Sequence, residues 1–499
     1  MRGAVATTGG VLVSGSLQAL LSTPVSAKPR PEVLAPVADL RDGIVRLHLP
    51  RGFQYRSFHD LDTLLAAPPP PAPPVPLVQP PVILEDGTVL PGRHDGMGAF
   101  PGPNGNVWLV RNHEINGTVA AAFGPGTPYD SRTGGGTTTI EVTPDGQVVN
   151  AFTSLNGTQN NCAGGRMPWG SWITCEETVN GPDVGPDFTL ASNVNLQQRH
   201  GFIFEVPAGG QSNRQPITSA GRFAHEAAAY SPTEGIVYLT EDNFAFPSGL
   251  YRYIPPTNPM ESGSLANGGT LQMLRVVGKT NLHLEAEQVN GATYPVDWVN
   301  IADPNPSFPY TVGQPAPTLN DTALQYVGNQ GRAQGAAHFS RLEGAAFTRG
   351  KIYFTSTQGG GPAETGPQLT LGYGRGAGQV WSYDPKYQTL TCEYQSPGTA
   401  TLELPDNITA RNDRGTIVIC EDGPGDNFIR GLTRDGELFD IALNRLRATN
   451  PTNGTNAPRF NEEFAGATFS PDGETLFVNI QASRALTFAI WGPWGRLGV

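Results

Sequence analysis

One pattern recurs along this chain and constrains its fold more than any other feature. A short apolar or aromatic run ends in polar, often acidic, residues. It reads Trp108-Leu-Val-Arg-Asn-His-Glu114, Trp172-Ile-Thr-Cys-Glu-Glu177, Val237-Tyr-Leu-Thr-Glu-Asp242, Ile352-Tyr-Phe-Thr-Ser-Thr357, Ile417-Val-Ile-Cys-Glu-Asp422 and Leu476-Phe-Val-Asn-Ile-Gln481. A smaller segment, usually rich in Gly and Ala, precedes each: His94-Asp-Gly-Met-Gly-Ala-Phe100, Gly164-Gly-Arg-Met-Pro-Trp169, His225-Glu-Ala-Ala-Ala-Tyr230, Leu342-Glu-Gly-Ala-Ala-Phe347, Pro405-Asp-Asn-Ile408 and Phe464-Ala-Gly-Ala-Thr-Phe469. Turns such as Pro103-Asn-Gly105 and Pro471-Asp-Gly473 join several of the pairs. The second members start roughly 60 to 65 residues apart, with the step from 237 to 352 nearly double. Radial repetition of small sheets gives this spacing, so the chain is expected to be an all-β, six-bladed β-propeller with loop insertions. The long step is read as an insertion at about 258–334, rich in Pro, Asn and Gly, in preference to an extra blade. Crowding at a propeller axis favours small side chains, which makes the Gly/Ala segments the innermost strands.

The composition agrees. The 499 residues include 62 Gly and 46 Pro while only 15% are charged, a mixture that suits tight turns between strands. No long amphipathic helical pattern stands out. Residues 43–58 read as one or two strands. The run from Pro68 to Pro81 is too proline-dense for a sheet interior, so 66–82 is expected to be an extended surface insertion in a single domain spanning 43–499. Leu486-Thr-Phe-Ala-Ile-Trp491 is a candidate to pair with an N-terminal strand and close the ring. A net charge of −12 without basic clusters argues against a nucleic-acid partner. The four cysteines are far apart and lack a C-x-x-C pair, which disfavours zinc fingers and dense disulfide scaffolds. Cys162 with Cys175, and Cys392 with Cys420, stand open as pairs or as buried thiols.

Arg2 precedes a weakly apolar stretch from Ala4 to Leu21, and Val25-Ser-Ala27 then offers a small-residue cleavage site. Residues 1–27 are therefore expected to be an export signal. Their low hydrophobicity suits the twin-arginine type, with the arginine pair upstream of the present start. No later run approaches the ~20 apolar residues of a membrane span. A monomer in the periplasm or outside the cell is expected.

The repeat sends Asp95, Glu114, Cys175, Glu226, Glu343, Asp406, Asn407, Glu421 and Asp422 toward the axis. So many carboxylates cannot stay ionised together without cations. Oxygen ligands in this number suit Ca2+. A lone thiolate among them suits a transition metal such as iron, because sulfur is a poor ligand for calcium. Plainer roles stand beside these: Cys175 as a core thiol, Glu114 and Asp242 as solvated strand ends, His113 and His225 as partners in cross-strand hydrogen bonds. Glu226 and Glu343 are harder to dismiss, since a charge in a small-residue strand needs a partner. Arg341 lies two residues before Glu343, on the same sheet face. It either grips an anionic substrate bidentately or pairs with a carboxylate. No G-x-S-x-G elbow, P-loop or dinucleotide glycine motif is present.

Several blocks resemble the PhoX-type alkaline phosphatases. They are Arg111-Asn-His-Glu114, Cys162-Ala-Gly-Gly-Arg-Met-Pro-Trp-Gly-Ser-Trp-Ile-Thr-Cys-Glu-Glu177, Gly221-Arg-Phe-Ala-His-Glu226, Arg341-Leu-Glu-Gly-Ala345, Gly378-Gln-Val-Trp-Ser-Tyr-Asp-Pro385, Cys420-Glu-Asp-Gly423 and Phe469-Ser-Pro-Asp-Gly-Glu-Thr-Leu-Phe-Val-Asn-Ile-Gln481. The resemblance runs from about residue 43 to the C-terminus. It implies a six-bladed propeller, exported by the twin-arginine route, that hydrolyses phosphomonoesters at a cluster of ferric iron (Fe3+) and calcium (Ca2+) at one end of the channel. Carried over by motif, Cys175 resembles the iron thiolate ligand. Glu114, Glu226 and Glu343 resemble carboxylates of the cluster, and Arg341 resembles the arginine that contacts phosphate. Glu421 and Asp422 are placed near calcium. Two competing readings are a calcium-dependent propeller lactonase or esterase, and an exported binding propeller whose calcium is structural.

Overall fold

The computed structural model describes residues 32–61, 81–116, 121–257, 260–411, 415–449 and 456–499. The expected export signal, 1–27, lies outside the described residues, as does the proline-dense stretch 66–82 up to residue 80.

The fold is all-β with a propeller-like arrangement of sheets. Each recurring pair in the sequence is an antiparallel hairpin. The pairs are His94–Pro101 with Val107–His113, Asn161–Met167 with Ser171–Glu176, His225–Ser231 with Ile236–Glu241, Leu342–Thr348 with Lys351–Ser356, Pro405–Ala410 with Ile417–Glu421, and Phe464–Phe469 with Thr475–Ile480. The first strand of each hairpin packs against the first strand of the next, and the last returns to the first, so these inner strands form a closed ring. Glycine is required where they meet: a Cβ on Gly165 would lie 1.7 Å from the Ala228 carbonyl oxygen, and one on Gly466 would lie 2.2 Å from that of Asp95.

Further strands extend each hairpin outward. Gly135–Val142 and Val148–Thr158 complete the first sheet, and Ile203–Pro207 the second. Leu250–Ile254 and Thr270–Val276 continue the third, Gln379–Asp384 and Thr389–Gln395 the fourth. The two C-terminal sheets are finished from the N-terminus. Val45–Leu49 pairs with Leu438–Asn444, and Gln54–Phe58 pairs with Leu486–Trp491, placing Thr487 opposite Phe58. Apolar clusters fill the spaces between neighbouring sheets. Leu109 and Ile140 meet Phe477 and Ala489, and Ile173 and Ile203 meet Leu239 and Tyr251. Burial on both faces explains why the second strands read as continuous apolar runs.

The stretch 258–334 holds more regular structure than its composition predicts. Thr293–Asn300 pairs with Thr270–Val276 on one side and Thr389–Gln395 on the other, joining the third and fourth sheets. A helix, Asn320–Arg332, follows, with Asp321 in its first turn and Arg332 in its last, where each complements the helix dipole. Its two internal glycines and few apolar residues, Ala323 and Val327 among the buried ones, leave almost no helical period to read. No helix among the described residues is long and apolar enough to cross a membrane.

Candidate metal centre

Each inner strand breaks its register close to its start. The irregularity falls between His94 and Met97, Asn161 and Gly164, His225 and Ala228, Leu342 and Ala345, Pro405 and Ile408, and Ala465 and Thr468. A bulge re-aims the side chains of the residues it leaves unpaired. In the first five strands the first residue inside the break is Asp95, Cys162, Glu226, Glu343 or Asp406. In the sixth the break comes one residue later, and the acid, Glu463, stands just before the strand. The residue ahead of the strand is left-handed in four cases: Arg93 (φ 48°), Asn160 (φ 52°), Arg341 (φ 35°) and Leu404 (φ 45°). Such backbone costs about 1–3 kcal/mol and persists where its surroundings over-determine it.

The ends of the second strands supply the other half of the site. Successive side chains point to opposite faces, so the acidic doublets divide their work. The first acid staples its own sheet. Glu176 accepts hydrogen bonds from the backbone N–H groups of Gln159 (3.0 Å), Gly201 (2.9 Å) and Phe202 (3.1 Å) and lies 2.6 Å from the His200 ring. Glu241 accepts from the Gly249 N–H and the Tyr251 hydroxyl, both at 2.9 Å. Glu421 accepts from the N–H groups of Glu403 and Phe428 and from Arg430, each at 3.0 Å. The second acids, Glu177, Asp242 and Asp422, join the inner-strand acids or the arginine beside them.

Three groups of candidate ligands result, each with its ligand atoms within 4.8 Å of one another: Cys162, Glu177 and Glu226; Glu226, Glu343 and Asp406; Asp406, Asp422 and Glu463. Sharing Glu226 and Asp406 makes them one continuous cluster. Burial, reinforced by neighbouring carboxylates, pushes Asp95, Glu177, Glu226, Glu343 and Glu463 well above the usual carboxylate range. Burial also raises Glu114 and Asp406, and it lifts Asp422 to about 7. The Cys162 thiol is pushed up by burial and then by Glu226 and Glu177. Among the described residues, Asp95 Oδ1 is buried without a hydrogen-bond partner. Carboxylates packed this densely, with an orphaned oxygen among them, fit bound cations. The oxygen-rich part suits calcium, and the single sulfur suits a thiophilic metal such as iron.

Cationic and amide groups rim the cluster. Arg341 donates to Asp242 through Nε (3.2 Å) and Nη2 (2.7 Å), and Nη2 also lies 3.2 Å from Glu343. Arg93 donates from Nε to the Glu114 carbonyl (2.6 Å) and from Nη2 to its carboxylate, which also accepts from Gln481. Asn160 donates to Glu177 Oε2 at 2.9 Å.

Of the residues singled out in the sequence, the structure brings Glu226, Glu343, Asp406 and Asp422 into the cluster and sets Asp95, Asn407, Glu114 and Arg341 beside it. Two lie elsewhere. Cys175 shares a face of its strand with Ile173 and sits in the apolar cluster with Ile203 and Phe223; the thiol beside the carboxylates is Cys162. Glu421 faces its own sheet and Arg430, while the next residue, Asp422, reaches the cluster. Cys162, Glu177 and Glu463 were not anticipated. Cys162 had a usable signal, because it holds the second position of its inner strand, as Glu226 and Glu343 do. His113 binds the Gly92 carbonyl and the Thr138 hydroxyl, both at 2.9 Å, and His225 binds the Gly221 carbonyl at 3.0 Å. Burial pushes both histidines down to about 3, so they are neutral parts of the scaffold.

The family described as Alkaline phosphatase PhoX matches residues 33–151 and 135–483. No curated protein sequence matches the chain. Among solved structures, PhoX of Pseudomonas fluorescens in complex with vanadate, a transition state analogue, is similar, with TM-score 0.60 and 17% identity, covering 93% of this chain and 98% of that one. A gluconolactonase of Xanthomonas campestris gives TM-score 0.36 and 12% identity, covering 85% and 98%.

Proposed function

The chain belongs to the alkaline phosphatase PhoX family, and from that premise we propose that it hydrolyses small phosphomonoesters at a cluster of calcium and ferric ions in the mouth of a six-bladed propeller, as an exported monomer. The family makes it a phosphoric monoester hydrolase. The observation that carries the proposal is the continuous cluster of Cys162, Glu177, Glu226, Glu343, Asp406, Asp422 and Glu463. The closed ring of inner strands supports the blade count. The weakly apolar N-terminus with Val25-Ser-Ala27 supports export to the periplasm or beyond.

Cys162 with Glu177 and Glu226 would hold iron, and Glu226, Glu343, Asp406, Asp422 and Glu463, with Glu114 nearby, would hold calcium. When bound, the cations supply the positive charge that neutralises a phosphate dianion and stabilises an in-line transition state. The chain supplies orientation. One edge of the Arg341 guanidinium is fixed by Asp242 and Glu343, and its face lies over the Phe244 ring, 5.4 Å from the centroid. Among the described residues Nη1 has no acceptor, so it is left to donate to a phosphoryl oxygen. A head group held this way needs no reorganisation when the substrate arrives.

Elemental analysis of the purified protein beside an assay with p-nitrophenyl phosphate tests the proposal. Calcium and iron together with alkaline phosphatase activity are expected. Calcium without iron, accompanied by lactone hydrolysis or by no turnover, would overturn it.

A further inference from the structure

We propose that Arg93 is a second phosphate-binding arginine, set opposite Arg341 across the ring, and that the two guanidiniums clamp a dianionic phosphoryl group between them. The proposal rests on the phosphatase reading of the site and adds a residue to it.

Arg93 and Arg341 occupy the same place in the repeat. Each stands immediately before an inner strand, and each is left-handed, with φ 48° and 35°. Arg93 precedes the first inner strand of the ring and Arg341 the fourth, so the ring order sets them on opposite sides. Each uses the same edge of its head group on the chain. Nε and Nη2 of Arg93 go to Glu114, and Nε and Nη2 of Arg341 go to Asp242 and Glu343. Among the described residues, Nη1 of neither has an acceptor. Both side chains keep some contact with solvent, 34% for Arg93 and 19% for Arg341, beside carboxylates that are largely buried. The charges of both arginines are felt at Asp422.

The other left-handed positions serve differently. Asn160 turns its amide N–H onto the carbonyl and carboxylate of Glu177, and Leu404 carries no polar group. An arginine whose only task was to pair with Glu114 would have no reason to hold a pair of donors free at the mouth. A phosphomonoester dianion presents several anionic oxygens, and two fixed guanidinium forks approaching from opposite sides match it in charge and geometry.

The test is Arg93→Gln and Arg93→Lys in the metal-loaded enzyme, with calcium and iron measured in each. For Arg93→Gln, KM for p-nitrophenyl phosphate and the inhibition constant of inorganic phosphate are expected to rise together, roughly 10- to 100-fold. Metal content should match wild type and kcat should change little. Lysine should restore part of the loss, since it keeps the charge without the fork. Unchanged KM and phosphate inhibition would overturn the proposal. So would loss of metal with a fall in kcat, which would make Arg93 an anchor for Glu114 and nothing more. Calorimetric titration with inorganic phosphate separates this proposal from the functional reading. Should wild type bind phosphate yet hydrolyse no monoester, weaker binding by Arg93→Gln still supports the clamp, and equal binding sinks it.

Discussion

Two buried carboxylates, about 40 residues apart in the chain, respond to burial in opposite ways. Asp183 is fully buried, yet it sits below the usual carboxylate range, because the Arg222 guanidinium outweighs the cost of burial. Arg222 grips both its oxygens at 2.7 and 2.8 Å and is itself satisfied by the carbonyls of Val179, His200 and Pro306. Glu226 is buried to a similar degree but is pushed well above that range, with Glu177, Asp406 and Asp95 as its charged neighbours. Asp183 receives its counter-charge from Arg222, whereas the charged neighbours of Glu226 are other acids, the surroundings of a carboxylate that a cation would complete. The distinction between scaffold and site is thus written in the partners of the acids, since residue type and depth are alike.

Paired substitutions test that contrast most directly. Glu226 belongs to two of the three ligand groups, so Glu226→Gln is expected to release both metals and lower kcat/KM by roughly 10³-fold or more. In excess chelator the same variant should be no less stable than wild type, because it removes one member of an uncompensated cluster. Asp183→Asn should do the reverse. It leaves Arg222 charged and buried, so stability is expected to fall by about 3–5 kcal/mol, while metal content and turnover per folded molecule hold. Denaturant titrations with and without chelator read both arms. The contrast breaks if metal-free Glu226→Gln loses as much stability as Asp183→Asn.

The two thiols form a second pair. Both are buried in the same apolar cluster, but among the described residues only Cys162 belongs to a candidate ligand group, with Glu177 and Glu226. Cys162→Ser is expected to lose its iron, seen by elemental analysis and by loss of any thiolate-to-iron absorption band. Cys175→Ser should keep its full metal content and pay about 1–3 kcal/mol for placing a hydroxyl in an apolar site. If Cys175→Ser loses iron while Cys162→Ser keeps it, the geometry has been misread.

Much of the fold was legible because each repeat carries two signals at once, a small-residue strand and an apolar strand after it. Glu226 and Glu343 stood out for the same reason, as charges in runs of Ala and Gly. The bulges were not legible. They depend on how neighbouring inner strands crowd the axis, and no local residue choice announces them. Hence Cys162 was passed over: its strand begins at Asn161, three residues ahead of the Gly-Gly that marked the segment, and Cys175 lay in the more conspicuous run. The doublets Glu176-Glu177 and Glu421-Asp422 carried a period-two signal that separates stapling acid from cluster acid, but it is decisive only once the strand's last paired residue is known. Glu463 had no such signal, because it precedes its strand. The helix Asn320–Arg332 was hidden by its glycines and owes its place to the sheets it packs on.

The last contrast concerns the stapling acid Glu176, which separates the scaffold from the cluster member Glu177. His200 lies 2.6 Å from Glu176 and 3.5 Å from Asp130. Burial lowers its pKa, but the two carboxylates more than offset this and raise it to about 9. The folded value exceeds the usual histidine value of about 6.5. The charged ring therefore contributes stability that is fully present below about pH 6.5 and is lost as pH rises through about 9. The loss across that window is about 3 kcal/mol. His200→Gln, which keeps a donor but cannot titrate, should flatten this part of the pH–stability curve. Because His200 acts through Glu176, metal content should not follow the same window. A decline in wild type that persists unchanged in His200→Gln would assign it to the cluster and blur the line between the two kinds of acid.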